Sequence, residues 1–294
     1  MLDYNETSFI ELKSTLLSKS GVSLWIKRED QNHPYVSGNK WWKLKYNIEQ
    51  AFHEKHHTLL TFGGAYSNHI YATAAAAKEM GLKSISVIRG EEVLPLNPTL
   101  KFAKSMGMQL HYVTREVYKT KSNPGLIELL EKEFGQFFLI PEGGTNVLAI
   151  KGCEDWAQQL VDQYDFDCLC LPVGTGGTLA GMVNVMAEKE IIGFSSLKGG
   201  SFLQEEVSRW LRHKANNWKI ETQYHFGGYA KVDETLVSFI KSFEAEHRVP
   251  IDPIYTAKMF FGILDLIKQN KFEEGSKILA LHTGGLQGRA GFNF

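Results

Sequence analysis

Apolar runs of strand length alternate along this chain with segments of helical periodicity, and that alternation restricts the fold more than any other feature. The runs fall at 22–26, 58–62, 84–88, 109–113, 137–140, 166–171, 191–194 and 278–282, each long enough for one buried strand. Between them lie stretches such as 149–164 and 234–246, whose apolar residues recur at helical spacing. Strand, helix, strand is the unit of a parallel sheet, because two parallel neighbours can be joined only by a long crossover. The spacing predicts an α/β protein built on open, mostly parallel sheets flanked by helices. With 294 residues, 43% of them hydrophobic, two lobes can be filled. No internal repeat or low-complexity tract points to a solenoid or a long disordered arm.

A formal net charge of −1 without a clustered basic stripe argues against nucleic acid or an anionic membrane as partner. The start, Met1-Leu2-Asp3-Tyr4-Asn5-Glu6, lacks the basic residues and apolar core of a signal peptide, and no uninterrupted apolar run approaches a membrane span. A cytoplasmic location is the expectation. Cys153, Cys168 and Cys170 are too few for a disulfide framework. Cys168 and Cys170 also share one face of a strand, so the thiols read as buried, reduced and structural. Small-molecule chemistry remains.

Three segments carry that chemistry. In Ser37-Gly38-Asn39-Lys40 a lysine follows turn and cap formers and opens a helix through Trp42, Leu44 and Ile48. Its amine projects from a fixed backbone corner, as a lysine that binds a carbonyl cofactor covalently requires; a surface lysine after a turn is the plain alternative. Leu171-Pro172-Val173-Gly174-Thr175-Gly176-Gly177-Thr178 joins a strand to a helix. Glycines admit a ligand close to the backbone, the helix start presents N–H groups and a positive dipole end, and two threonines add donors, so a phosphate site is expected. The run lacks the Gly-Lys-Ser/Thr of a nucleotide-binding loop and the last glycine of the dinucleotide fingerprint, which favours a mononucleotide or a phosphorylated cofactor. Gly63-Gly64-Ala65-Tyr66-Ser67-Asn68-His69 also joins a strand to a helix, with Ser67 and Asn68 as cap residues and as donors to a carboxylate or a cofactor oxygen.

These three motifs, followed by Asp252-Pro253-Ile254-Tyr255 and His282-Thr283-Gly284-Gly285, resemble in order the 1-aminocyclopropane-1-carboxylate deaminase and D-cysteine desulfhydrase family of pyridoxal-phosphate enzymes, of the tryptophan-synthase-β fold type (fold type II). The resemblance runs from about residue 25 to 285. It implies a large lobe from 1–45 and 146–294, a small lobe inserted over 46–145, the cofactor in the cleft between them, and a homodimer. It further implies that Lys40 holds the cofactor, Gly174, Thr175, Gly176, Gly177 and Thr178 cradle its phosphate, and Asn68 reaches its ring hydroxyl. Lys43 matches a lysine near the phosphate, although its position one turn after Lys40 suits a solvated side chain equally. Tyr255 corresponds to the tyrosine stacked on the ring, and Tyr229, in Phe226-Gly227-Gly228-Tyr229, to a second active-site tyrosine; core aromatics are the alternative. Ser67, with Asn68 and His69 beside it, meets the substrate carboxylate or assists proton transfer, and Lys40 serves as base at the α-carbon while the cofactor acts as electron sink.

By the same resemblance Thr256 meets the substrate and Thr283 the cofactor, and these two residues bear on which small amino acid is the substrate. Deaminases of the family have Glu after the stacking tyrosine and Leu in the His-x-Gly-Gly motif, where this chain has Thr256 and Thr283. A threonine hydroxyl beside the ring nitrogen supports a weaker electron sink than a carboxylate, enough for β-elimination of a thiol. D-cysteine desulfhydration is therefore the leading expectation, and deamination of the cyclopropane acid the alternative. Tyr66 and Trp42 replace a Gln and an Arg of the family pattern and put two bulky aromatics beside the expected pocket. Two readings of other classes stand beside these: a non-catalytic binder of cofactor or amino acid, and a zinc hydrolase through His53-Glu54-Lys55-His56-His57, which matches H-E-x-x-H. The zinc reading needs His53 and His57 on one helix face, and His57 runs straight into a strand, so no metal site is expected.

Overall fold

Two separate sheets satisfy the alternation. The computed structural model describes residues 2–292. Its strands are β1 (Phe9–Leu12), β2 (Ser23–Lys27), β3 (Thr58–Gly63), β4 (Lys83–Arg89), β5 (Gln109–Val113), β6 (Phe138–Ile140), β7 (Cys168–Val173), β8 (Glu190–Ser195), β9 (Trp218–Glu221) and β10 (Lys277–Leu281). The helices are α1 (Thr15–Ser20), α2 (Asn39–His53), α3 (Asn68–Glu79), α4 (Pro98–Ser105), α5 (Arg115–Lys119), α6 (Pro124–Phe134), α7 (Val147–Gln163), α8 (Gly177–Val185), α9 (Leu203–Ser208), α10 (Glu234–His247) and α11 (Thr256–Lys268). The larger sheet runs β1-β2-β10-β7-β8-β9 and the smaller β5-β4-β3-β6. Every pairing is parallel except β1 on β2.

The eight expected strands all form, with ends displaced by up to two residues. The expected strand over 166–171 begins at Cys168, where pairing with Ile278 of β10 and Glu190 of β8 starts. Strands β1 and β9 were not foreseen; each has four residues and forms an edge of the large sheet.

Both faces of the large sheet are covered, which explains its continuous apolar strands. Leu24, Ile26, Cys168, Cys170, Ile278 and Ala280 pack on one face with Phe260 and Ile263 of α11. Leu169, Leu171, Leu279 and Leu281 point the other way, into a cluster with Trp42 of α2 and Trp156 of α7. The period of two along β7 and β10 sorts the side chains. All three cysteines are buried free thiols. Trp42 is a core residue and does not border the pocket as expected: its ring stacks on Trp156 at 5.9 Å, and its Nε1 donates to Glu29 at 2.6 Å. Among the described residues no helix is long and apolar enough to cross a membrane.

Candidate active site

Loops leaving the C-terminal ends of β3, β4, β7 and β10 converge with the start of α2 around a cleft of about 510 Å³. That is where open parallel sheets bind ligands, since the strand ends and helix starts all face one way. Lys40 lines its floor. The turn before it depends on Gly38, whose φ is +69° and whose missing side chain leaves room for the Thr283 carbonyl: a Cβ there would lie 1.9 Å from that oxygen. Two distant motifs thus interlock by backbone contact, and Thr283 joins the lining.

The Lys40 amine donates to Asn39 Oδ1 at 3.0 Å, while Asn39 Nδ2 donates to Thr178 Oγ1 at 2.9 Å, linking the lysine turn to α8. Burial, and then the neighbouring charge of Lys43, pull the Lys40 amine down to about 7. Lys43 is not solvated. It is 2% exposed and donates to the Gly143 carbonyl at 2.5 Å and to Thr145 Oγ1 at 3.0 Å, and burial lowers its amine to about 8.

The loop after β7 brings Gly174 through Thr178 to the cleft. Gly176 caps α8 with φ +82°, and a Cβ on it would strike Val207 at 2.6 Å. The first-turn N–H groups of α8 have no acceptor within the helix. Thr175 Oγ1 lies 2.6 Å from Thr145 Oγ1, so a chain of hydrogen bonds connects this loop to Lys43. The arrangement is a concentrated anion cradle.

The loop after β3 supplies Ser67, Asn68 and His69. Ser67 does cap α3, accepting from the Ile70 N–H at 3.3 Å, and its side chain still borders the cleft. Asn68 Oδ1 accepts from Gln287 Nε2 at 2.7 Å, so the amide is oriented and its NH2 group remains available as a donor. Thr61 donates to the Ile140 carbonyl at 2.8 Å, so the 2.9 Å contact to His69 must be donated by His69 Nε2. Nδ1 is then a buried acceptor without a partner. Burial, helped by the charges of Lys40 and Lys43, holds this imidazole well below its ordinary value and keeps it neutral.

Tyr255 and Tyr229 meet edge to face with centroids 6.1 Å apart, and both border the cleft. Tyr255 lies against Gly174, where a Cβ would sit 3.4 Å from its ring. Burial pushes the Tyr229 phenol up to about 12 and Tyr255 well above its usual value, so both stay protonated donors. Lys258 donates to the carbonyls of His225 and Gly228, at 2.8 and 2.7 Å, and so fixes the loop that presents Tyr229. Thr256, expected to meet substrate, does not reach the cleft. It is fully buried, and its hydroxyl donates to Asp252 Oδ2 at 2.8 Å. Tyr66 borders the adjoining hollow and not the main cleft.

Arg89, Lys121, Glu142 and Gly143 also line the cleft, and sequence reasoning passed over them. The position of Arg89 at the end of a strand and the Gly143-Gly144 pair before a helix were the available signals. The zinc motif does not assemble. Helix α2 ends at His53, Lys55 turns left-handed at φ 61°, and His57 enters the next strand's approach. Among the described residues no group of three His, Cys, Asp or Glu side chains is placed to hold a metal ion.

A near-neutral amine, an anion cradle, an oriented amide donor, an unpartnered histidine acceptor and an aromatic wall fit a phosphorylated pyridine aldehyde. The family of pyridoxal-phosphate dependent enzymes matches residues 2–284. This chain belongs to that family. A Pyrococcus furiosus protein provisionally named 1-aminocyclopropane-1-carboxylate deaminase is 32% identical over 292 residues, covering 91% of this chain and 86% of that protein. An Arabidopsis thaliana protein named bifunctional D-cysteine desulfhydrase/1-aminocyclopropane-1-carboxylate deaminase is 30% identical, covering 92% of this chain and 74% of its own. A crystal structure described as an ACC deaminase homologue superposes with a TM-score of 0.82 at 28% identity, covering 98% of this chain and 92% of that one. This pyridoxal-phosphate dependent enzyme therefore has the fold type II architecture that its sequence motifs implied. A non-catalytic binder finds no support in such relatives.

Proposed function

We propose that this enzyme removes a β-substituent and the amino group from a small amino acid, with D-cysteine as substrate and pyruvate, ammonia and sulfide as products. The observation that carries the choice is Thr283: the His282-Thr283-Gly284-Gly285 loop brings this threonine to the cleft, and the carboxylate of Asp252, close to Gly285 of the same loop, is buried and engaged by backbone N–H groups. Pyridoxal phosphate, when bound, supplies an electron sink at the α-carbon. A hydroxyl partner suits departure of a sulfur group, whereas opening a cyclopropane ring calls for a stronger sink. The Arabidopsis relative, named for both activities, favours the cyclopropane acid as the second substrate.

In this reading Lys40 holds the cofactor and afterwards takes the α-proton, for which an amine near neutrality is suited. Gly174 to Thr178 bind the phosphate with Lys43 behind them, and the Asn68 NH2 group donates to the ring hydroxyl. Ser67 and the start of α3 orient the substrate carboxylate, with His69 behind. Tyr255 packs on the ring, and Tyr229 donates a proton toward the departing group. A homodimer and a cytoplasmic location belong to the same proposal.

The test is the visible absorption of the protein after addition of pyridoxal phosphate, followed by turnover of both candidate substrates. Wild type should show the band of lysine-bound cofactor and Lys40→Ala should not, with pyruvate formation falling at least a thousandfold. Faster release of 2-oxobutyrate from the cyclopropane acid than of pyruvate from D-cysteine would reverse the order of substrates.

A further inference from the structure

Beyond the cofactor cleft lies an adjoining hollow of about 560 Å³ that shares Gly64, Arg89, Lys121, Glu142 and Tyr229 with it. It is far larger than a thiol group needs, since one water occupies about 30 Å³ of liquid. Its lining is strongly basic: Arg89, Arg115, Lys119 and Lys121 face the single carboxylate of Glu142. Lys121 pairs with Glu142 at 3.3 Å, which neutralises both. Arg89 takes part in no ion pair of the described residues. Its guanidinium carbon lies 5.7 Å from the centre of the Tyr118 ring, a contact that leaves the N–H edge open. Arg89 also lies beside Gly64, where a Cβ would sit 3.5 Å from its Nη2, at the head of the loop that leads to Ser67 and Asn68.

Two anions already have places in the proposed function: the cofactor phosphate at Gly174 to Thr178, and the substrate carboxylate at the start of α3. Arg89 serves neither. We propose that Arg89 and the basic wall around it form a third anion site, which receives a negatively charged substituent on the β-carbon of the substrate. The substrate class is then β-substituted alanines whose leaving group is an oxyanion, departing as phosphate or sulfite, with D-cysteine the smallest acceptable member. The inference rests on the β-elimination reading of the same cleft. For O-phosphoserine the α-proton goes to Lys40, and the Cβ–O bond breaks with its electron pair leaving on phosphate. The aminoacrylate released takes up water to give pyruvate and ammonia.

The experiment compares cofactor-loaded wild type, Arg89→Ala and Arg89→Lys on D-cysteine, β-chloroalanine and O-phosphoserine, each of the last two as both enantiomers. The ratio of kcat/KM for O-phosphoserine to that for β-chloroalanine should fall at least tenfold in Arg89→Ala, mainly through KM, and recover in part in Arg89→Lys. Calorimetric binding of 2-amino-3-phosphonopropionate, which cannot undergo the elimination, should weaken at least tenfold in Arg89→Ala. An unchanged ratio, equal losses on both substrates, or phosphonate binding indifferent to Arg89 would overturn the third site. Wild type inert toward D-cysteine and β-chloroalanine would instead overturn the elimination reading, while the phosphonate titration would still decide the anion site.

Discussion

At the residue scale, Lys40 and Lys43 share one buried corner of the cleft, and the charge of the second helps burial hold the amine of the first near neutrality. Lys40 could be singled out because turn formers fix its backbone, and the glycine runs could be read because only they let a ligand approach the chain closely. What the sequence left open for Lys43 was decided by packing: loop 143–145 folds over it and supplies two oxygens. Thr256 looked like a substrate contact because it follows Tyr255, yet helix geometry turns it back onto Asp252. The position of Lys43 has a measurable consequence. Below about pH 7 the Lys40 amine is protonated and unreactive toward an aldehyde, and above it the amine is neutral. The rate at which cofactor-free protein takes up pyridoxal phosphate should rise through pH 7 and then level off. Lys43→Met removes a positive neighbour that depresses Lys40, so stopped-flow absorbance should find the midpoint moved upward in that variant.

At the scale of elements, the strands buried on both faces announced themselves, whereas the two edge strands did not. A four-residue strand with one covered side leaves too little periodicity to read, and β1 and β9 are held by pairing with β2 and β8 more than by their own pattern. Helix α11 shows an element positioned by one buried group. Asp252 accepts from the N–H groups of Ile254, Tyr255 and Thr256, at 2.9, 2.8 and 2.8 Å, and from the Thr256 hydroxyl. Burial raises this carboxyl, although its hydrogen bonds oppose the shift. Asp252→Ala strips the helix start of those partners while leaving the chain's hydrophobic packing in place. Urea unfolding of the cofactor-free variant should show a loss of about 2–4 kcal/mol, with weaker cofactor binding because Tyr255 sits at the same corner. Asp252→Asn keeps acceptor oxygen and should lose less.

At the scale of the whole molecule, the α/β class followed from the alternation, but the division of the chain did not follow from composition. The strands of the smaller sheet all lie between 58 and 140, inside the 46–145 insertion that the motif order implies, and helix α2 runs unbroken through residue 46 from one side to the other. We propose that insertion as the small lobe. A ligand held by loops of both sheets should then stabilise the molecule as a unit. Pyridoxal phosphate at a hundred times its dissociation constant should add about 2.7 kcal/mol, read by calorimetry as one transition moved upward, and Lys40→Ala should show less at the same concentration. The order of strands in the larger sheet carries a consequence for how the protein is made. Strand β10, last in sequence among the described strands, lies between β2 and β7. A growing polypeptide can complete the smaller sheet while translation is still under way, because all four of its strands have left the ribosome by then. The sheet beneath Lys40 must wait with its centre missing until residue 281 emerges, so the catalytic cleft can assemble only after the smaller sheet has had its chance to form.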